Sequence, residues 1–273
     1  MRSLTDLASS RDLLANLTLR EIRGKYKRTA LGQFWSLLNP VAQMATYSAV
    51  FAVLLRALPP KGDPSGLNVF ALWLSAGLLP WLFFSNTVTS GMTVLVSNAN
   101  LIKKVYFPRE TLVIANMLSW LFTHCIEMSV LIVAVLIFGG DPLPYLPVTL
   151  AFMAVLAVFA LGVSLLLAVA NVYFRDTQHL FAIVMQVWFY LTPIVYPISV
   201  IRSHHRFVHH PGYITAYRLN PIERFTEVFR NTMYDGRLPS LNNTLVLVGV
   251  SLATLALGYV VFKRYEGRLG EEL

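Results

Sequence analysis

Long apolar stretches alternate with short polar ones along this chain, and the apolar stretches are too long for strands or ordinary core helices. A helix needs about 20 mostly apolar residues to cross the hydrocarbon of a bilayer. Six stretches qualify: residues 40–58, with Arg56 as their one charge; 67–96, with none; 111–138, which hold His124 and Glu127; and then 146–173, 180–201 and 241–262. The pattern predicts an all-α integral membrane protein of six transmembrane helices, with both termini on one side. Residues 1–38 form a polar, basic leading segment, and residues 39–273 a single transmembrane domain. The leading segment has no apolar core of its own, so the first span is expected to serve as the insertion signal.

Composition agrees with that reading. Of 273 residues, 56% are hydrophobic and 13% charged, against about 25% charged in soluble domains. The net charge is +8, and the cations sit between the apolar stretches. That placement fits membrane lipids with anionic headgroups and argues against nucleic acid. Seven Lys and Arg precede residue 39, three lie in 97–109, one in 174–179 and three after Phe262, against eight on the opposite side. The short loops therefore place both termini in the cytoplasm and the chain, multi-pass, in the cytoplasmic (inner) membrane. Six of the opposing eight lie in residues 202–240, a loop long enough for the rule to weaken. The single cysteine, Cys125, permits no intrachain disulfide.

Several polar segments carry more pattern than linkers need. In Asp12–Arg28, Leu14, Leu17 and Ile22 can share one helical face while Arg20, Arg23 and Lys27 cluster elsewhere. This predicts an amphipathic helix lying at the interface, either as a topology-setting tail or as a collar for an anionic substrate or partner. Asn98–Glu110 places Leu101, Ile102, Val105, Tyr106 and Phe107 where a linker would be polar. It reads as a docking surface, or else as a loop folded back on the bundle. At Phe174-Arg175-Asp176, Arg175 can pair with its neighbour or hold a phosphate.

The fifth stretch carries Pro193 and Pro197, which break or kink its helix and free carbonyls, as beside a transport pathway or as plain architecture. After it, Leu219-Asn220-Pro221-Ile222 leads into Phe225, Val228 and Phe229 at helical spacing, a short amphipathic helix at the interface or re-entering the membrane. His124 and Glu127, three apart in the third stretch, read as a functional pair or as a hydrogen bond between helices. His204, His205, His209 and His210 cluster without a nearby carboxylate or thiol to complete a metal site.

Taken together, Tyr26–Gly32 leading to Trp35 and Leu38-Asn39-Pro40, then Asn100–Pro108, then Phe174-Arg175-Asp176, then Thr192-Pro193-Ile194 with Tyr196, and Leu219–Ile222 resemble the ABC-2 type transporter permeases. The subgroup they are most similar to exports O-antigen, teichoic acid and lipid-linked galactan. The resemblance implies a homodimer of this chain bound to a separate ABC ATPase, which holds ATP and Mg, and a lipid-linked (polyprenyl-diphosphate) polysaccharide substrate. It implies that Asn100, Leu101, Ile102, Lys103, Lys104, Val105, Tyr106 and Phe107 form the cytoplasmic coupling helix, and that Leu219–Ile222 opens an outer re-entrant segment. Arg20, Arg23, Lys25, Tyr26, Lys27, Arg28, Trp35 and Arg175 would ring the cytoplasmic entrance. Trp73, Trp81, Phe84, Trp120, Trp188, Tyr190 and Tyr196 are candidates for an aromatic channel lining, or for interfacial belts and packing. No cofactor, metal or catalytic residue is expected in the chain. It lacks a Gly-x-x-x-x-Gly-Lys-Ser/Thr phosphate cradle, since its one Gly-Lys pair, Gly24-Lys25, is followed by Tyr26. The rivals are an efflux permease for a small amphiphile, a membrane transferase acting on polyprenyl-linked sugars, and a membrane scaffold.

Overall fold

The computed structural model describes residues 11–25, 27, 32–50, 59–198 and 217–273, and every regular element among them is helical. In chain order these are α1 (Arg11–Lys25), α2 (Trp35–Ser48), α3 (Phe70–Ser97), α4 (Ala99–Lys104), α5 (Glu110–Ile137), α6 (Leu146–Tyr173), α7 (Thr177–Leu191), α8 (Pro221–Arg230), α9 (Leu241–Tyr265) and α10 (Leu269–Glu272). Four helices among the described residues are long and apolar enough to cross a membrane: α3, α5, α6 with its leading turn, and α9. The helix at the fifth predicted span is shorter. Residues 51–58, with Arg56, lie outside the described residues, so α2 is followed only to residue 50. Helix α7 has 15 residues, about 22 Å at 1.5 Å per residue, and stops at Thr192-Pro193.

One end of the bundle carries α4, α10 and the α6–α7 junction; it is called the near end below. The far end carries the 59–67 loop and α8. Helix α3 is the least apolar of the four long helices, with mean hydropathy 1.3 against 2.1 to 2.7, yet the most buried. Neighbours, not lipid, surround it, and several of its polar groups pair within the bundle. The Asn116 amide donates to the Thr87 carbonyl (3.1 Å), Ser90 donates to the Asn116 carbonyl oxygen (2.9 Å), and the Trp120 indole donates to Ser90 (2.7 Å). Such bonds tie α3 to α5 where no hydrophobic drive separates helix from lipid.

Helices α6 and α9 cross at two glycines. A Cβ on Gly258 would run into the Gly162 carbonyl oxygen, and one on Gly162 would lie 2.6 Å from the Leu255 amide nitrogen. Only hydrogen at both positions allows the two backbones to approach this closely.

Helix α8 begins where the sequence supplies a cap, a first-turn proline and an acid: Asn220, Pro221 and Glu223. The same Asn220 holds the broken end of α7. Its carbonyl oxygen accepts from the Ile222 amide (3.0 Å) and the Trp188 indole (2.9 Å), and its side-chain amide donates to Thr192 Oγ1 (2.9 Å). Two motifs far apart in the sequence are thus one joint. Beyond α8, a π turn (Asn231–Asp235) ends on Gly236 at φ 74°, a left-handed conformation that favours glycine. The Tyr234 hydroxyl lies 3.0 and 2.9 Å from the carbonyls of Pro60 and Leu67, tying the far-end loop to this turn.

Two outcomes are expected of thermal unfolding in detergent. Gly258→Ala should lose about 2 kcal/mol through overpacking, whereas Gly249→Ala on the same helix, with nothing within 4 Å of the added carbon, should lose nothing and gain up to about 1 kcal/mol from helix propensity. Equal shifts for the two would contradict the close crossing. Asn220→Ala should cost about 2 kcal/mol, the loss of a cap plus the bonds to the Trp188 indole donor and the Thr192 hydroxyl acceptor; an unmoved midpoint would remove the joint.

Candidate functional site

A cavity of about 630 Å³ opens between α2, α3 and α7. Its polar wall is Asn39, Gln43 and Thr46 of α2, Ser85 of α3 and Gln186 of α7; its aromatic wall is Tyr47, Trp81, Phe189 and Tyr190. Amides, hydroxyls and ring faces together suit a ligand that is polar but carries C–H surfaces. The apolar helices α3 and α7 place these groups by helical spacing: Trp81 and Ser85 are four apart, as are Gln186 and Tyr190.

The predicted aromatic lining divides. Trp81 and Tyr190 line the groove. Trp188 stands behind them, edge-on to Trp81 (6.3 Å) and to Phe84 (5.4 Å). Phe84 is fully buried against Phe159. The Tyr196 hydroxyl donates to the Tyr190 carbonyl at 2.7 Å, closing the frayed end of α7. Trp73 lies at the far end beneath the Arg230 guanidinium, 3.8 Å from its ring. Trp120 is on α5, bonded to Ser90. Residue type identifies aromatic rings but not which helix face will be covered, so Phe84, Trp73 and Trp120 turn out to be packing and pinning groups here.

Arg230 is the group the sequence reading missed. It donates to the carbonyls of Pro193 (2.8 Å), Ile194 (2.6 Å) and Trp73 (3.4 Å). Those at 193 and 194 are the carbonyls that the proline break takes out of helical bonding. Burial pulls the guanidinium down to about 9, opposed by Asp235 and Glu223. The available signal was a basic residue directly after Phe229, in a chain whose fifth apolar stretch is interrupted by prolines.

At the near end, α1 does not stand alone as a surface helix. Leu17 is buried among Leu95, Ile102, Leu112 and Val113, and α1 packs along the near half of α5. Its basic face opens on a second cavity of about 640 Å³ that brings Arg20, Arg23 and Lys27 together. Arg20 also donates to Asn98 Oδ1 (2.8 Å) and pairs with Glu21 (3.0 Å). Lys25 leaves this group and turns inward: its ammonium lies 3.4 Å from the Trp120 ring centre and 3.4 Å from Thr123 Oγ1. Burial pushes it down to about 7, while Glu127 and Glu21 oppose the shift. Trp35 and Arg175 are exposed; Tyr26 and Arg28 lie outside the described residues.

The Asn100–Phe107 segment is half anchor and half surface. Ile102 and Phe107 are buried in the near-end core, a correction to the expectation that both belong to the exposed patch. Leu101 packs beside them, while Asn100, Lys103, Lys104, Val105 and Tyr106 are exposed, Tyr106 completely. This turn is seated on α9. Lys263 pairs with Glu110 (2.6 Å) and Glu266 (2.8 Å), the Arg109 amide donates to Glu266 Oε1 (3.3 Å), and its guanidinium donates to the Glu266 carbonyl.

His124 is buried, stacked on Phe83 (4.9 Å) with Nδ1 3.7 Å from Glu127 Oε2. No group of three metal-ligating side chains occurs among the described residues, and the four clustered histidines at 204–210 lie outside them.

The family described as ABC-2 type transporter matches residues 13–234. The O-antigen export system permease protein RfbA of Myxococcus xanthus is 27% identical over 273 residues, the full length of both chains. A protein of the same name from Klebsiella pneumoniae is 25% identical over 96% of this chain and 95% of its own. The polysialic acid transport protein KpsM of Escherichia coli is 22% identical over 92% of each. This chain is a multi-pass membrane protein and belongs to the ABC-2 type transporter family.

Proposed function

We propose that this chain is the permease subunit of an exporter that moves a lipid-linked polysaccharide across the cytoplasmic membrane, working as a homodimer driven by a separate ATPase that binds ATP and Mg. The observation that carries the reading is the groove between α2, α3 and α7, whose amides and rings offer hydrogen bonds and C–H stacking in an otherwise apolar bundle. The names of the relatives, O-antigen export and polysialic acid transport proteins matched over nine-tenths or more of their length, point to the same cargo class.

In this reading the near end is cytoplasmic. The basic face of Arg20, Arg23 and Lys27 meets the diphosphate of the carrier lipid, since guanidinium and phosphate bond well at such a site. Two copies would juxtapose their grooves along the exposed faces of α2 and α7, enclosing one channel. The ATPase would grip Tyr106, Val105, Lys103 and Lys104. Ile102 and Phe107 transmit its movement into the bundle, and the Glu110–Lys263 pair carries it to α9. No covalent step falls to this chain.

The test is ATP hydrolysis and polysaccharide transfer in proteoliposomes, with the chain alone and with a candidate ABC ATPase partner. Hydrolysis coupled to transfer is expected only with both subunits. Tyr106→Ala should weaken ATPase binding about 30-fold, as loss of an interfacial anchor worth ~2 kcal/mol does, without lowering the stability of the chain. Phe107→Ala, by contrast, should destabilise the chain itself by about 3 kcal/mol. Trp81→Ala should lower transfer per ATP hydrolysed. A chain that recruits no ATPase, or that acts on lipid-linked sugars without one, would overturn the proposal; transfer of small amphiphiles but not of polymer would replace the cargo.

A further inference from the structure

A third cavity, of about 240 Å³, lies at the far end between α8, Trp73 and the broken end of α7. One face of α8 lines it: Glu223, Thr226, Glu227 and Arg230, at the i, i+3, i+4, i+7 spacing of a helical stripe, while Ile222, Phe225, Val228 and Phe229 fill the core behind. Arg218, Asp235 and Arg237 complete the polar wall.

Most of these groups already have partners. Arg230 is held by three carbonyls. Arg237 pairs with Asp235 (3.1 Å) and donates to Asn231 Oδ1 (2.8 Å). Glu227 accepts from the Asn243 amide (2.8 Å). Arg218 is exposed at the rim, and two buried groups have no partner: Glu223, 5% exposed, has a sealed Oε2 without a hydrogen-bond partner, and the Thr226 hydroxyl, on a residue 1% exposed, has none either. Burial, reinforced by the Glu227 charge, raises the Glu223 carboxyl to about 7. A buried carboxylate and a buried hydroxyl left open in this way are expensive unless something completes them.

Three arginines face three carboxylates across the cavity, so it selects strongly for neither a cation nor an anion. Its volume exceeds what a single bridging water fills. A neutral ligand rich in hydroxyls answers both the open acceptors and the charge balance.

We propose that this cavity is a saccharide subsite, which takes one sugar residue whose hydroxyls donate to the Glu223 carboxylate and bond with the Thr226 hydroxyl, Arg218 donating from the rim. The choice of a sugar rests on the polysaccharide-export reading. The subsite would engage the polymer at the end of the bundle opposite the ATPase-docking turn, separate from the groove.

The test is saturation-transfer NMR on the full chain in lipid nanodiscs, with methyl α-D-mannopyranoside, methyl α-D-galactopyranoside and methyl α-L-rhamnopyranoside as probes. The wild type should transfer saturation to the ring protons of at least one of them. Thr226→Val should raise that Kd about tenfold, the worth of one well-made hydrogen bond, and Glu223→Gln at least as much. Thr226→Val should leave the unfolding midpoint unchanged or raised, because the hydroxyl it removes has no protein partner, so its lost binding is not lost folding. No transfer to the wild type would overturn the subsite, as would transfer that neither variant weakens, which would locate binding elsewhere. Because the readout needs no ATP, coupled polymer export without glycoside binding would sink the subsite and leave the exporter standing. Variant-sensitive binding in a chain that recruits no ATPase would do the reverse.

Discussion

In hydrocarbon a backbone carbonyl has no water to fall back on, so any break in a membrane helix must be matched by donors from within the protein. The far half of this structure is organised around that constraint. Pro193 ends α7 before it has spanned a bilayer, and the carbonyls at 193 and 194 would be stranded. The Arg230 guanidinium supplies the donors and reaches the Trp73 carbonyl as well. Asn220 holds the same joint from the other side, capping α8 while bonding Trp188 and Thr192. The break, the short helix and the cap are therefore one unit, tied together by side-chain hydrogen bonds.

That unit fixes what lies on either side of it. Trp188, bonded to Asn220, presents its edge to Trp81, so the aromatic wall of the groove is positioned by a polar bond one layer away. On the opposite side, Arg230 stacks on Trp73 and walls the far cavity. A membrane helix with an unbroken hydrogen-bond ladder offers only side chains to a passing ligand. The break in α7 leaves carbonyls that hold Arg230 at the far end, beside the charged face of α8. At the near end the logic differs: the docking turn is held by the Glu110–Lys263–Glu266 ion pairs and by Ile102 and Phe107. Glu110 is 1% exposed, so its pairing with Lys263 avoids an uncompensated buried charge rather than adding much stability.

How much of this was legible in the sequence follows from what each signal encodes. Length and apolarity mark α3, α5, α6 and α9, because crossing a bilayer demands both over a continuous stretch. Helix α7 is visible as an apolar run but not as a short helix, since hydropathy is blind to where a ladder ends; Pro193 carried that information. The docking segment was recognisable by its apolar residues outside a span. Their division into Ile102 and Phe107 facing in, and Val105 and Tyr106 facing out, depends on α1 and α9 arriving from distant parts of the chain. The aromatic candidates show the same gap. Trp81 and Trp120 have the same composition-level claim to a lining, but Ser90 captures the indole of one while the other faces the groove.

The six basic residues in 202–240 run against the charge bias that orients the chain. Three of them are not loose charges in the structure. Arg230 is committed to carbonyls, Arg237 to Asp235 and Asn231, and Arg224 to the Arg218 carbonyl and Asn243. The positive-inside bias describes cations in short loops beside span ends. An arginine folded into a polar joint, its donors matched by carbonyls and carboxylates, is a different object. At the near end, Lys103 and Lys104 stand exposed on a six-residue helix and Arg20, Arg23 and Lys27 share an open cavity. Folding therefore commits three far-end arginines to polar partners, while Arg23, Lys27, Lys103 and Lys104 stay open at the near end, a difference that a count along the sequence does not show.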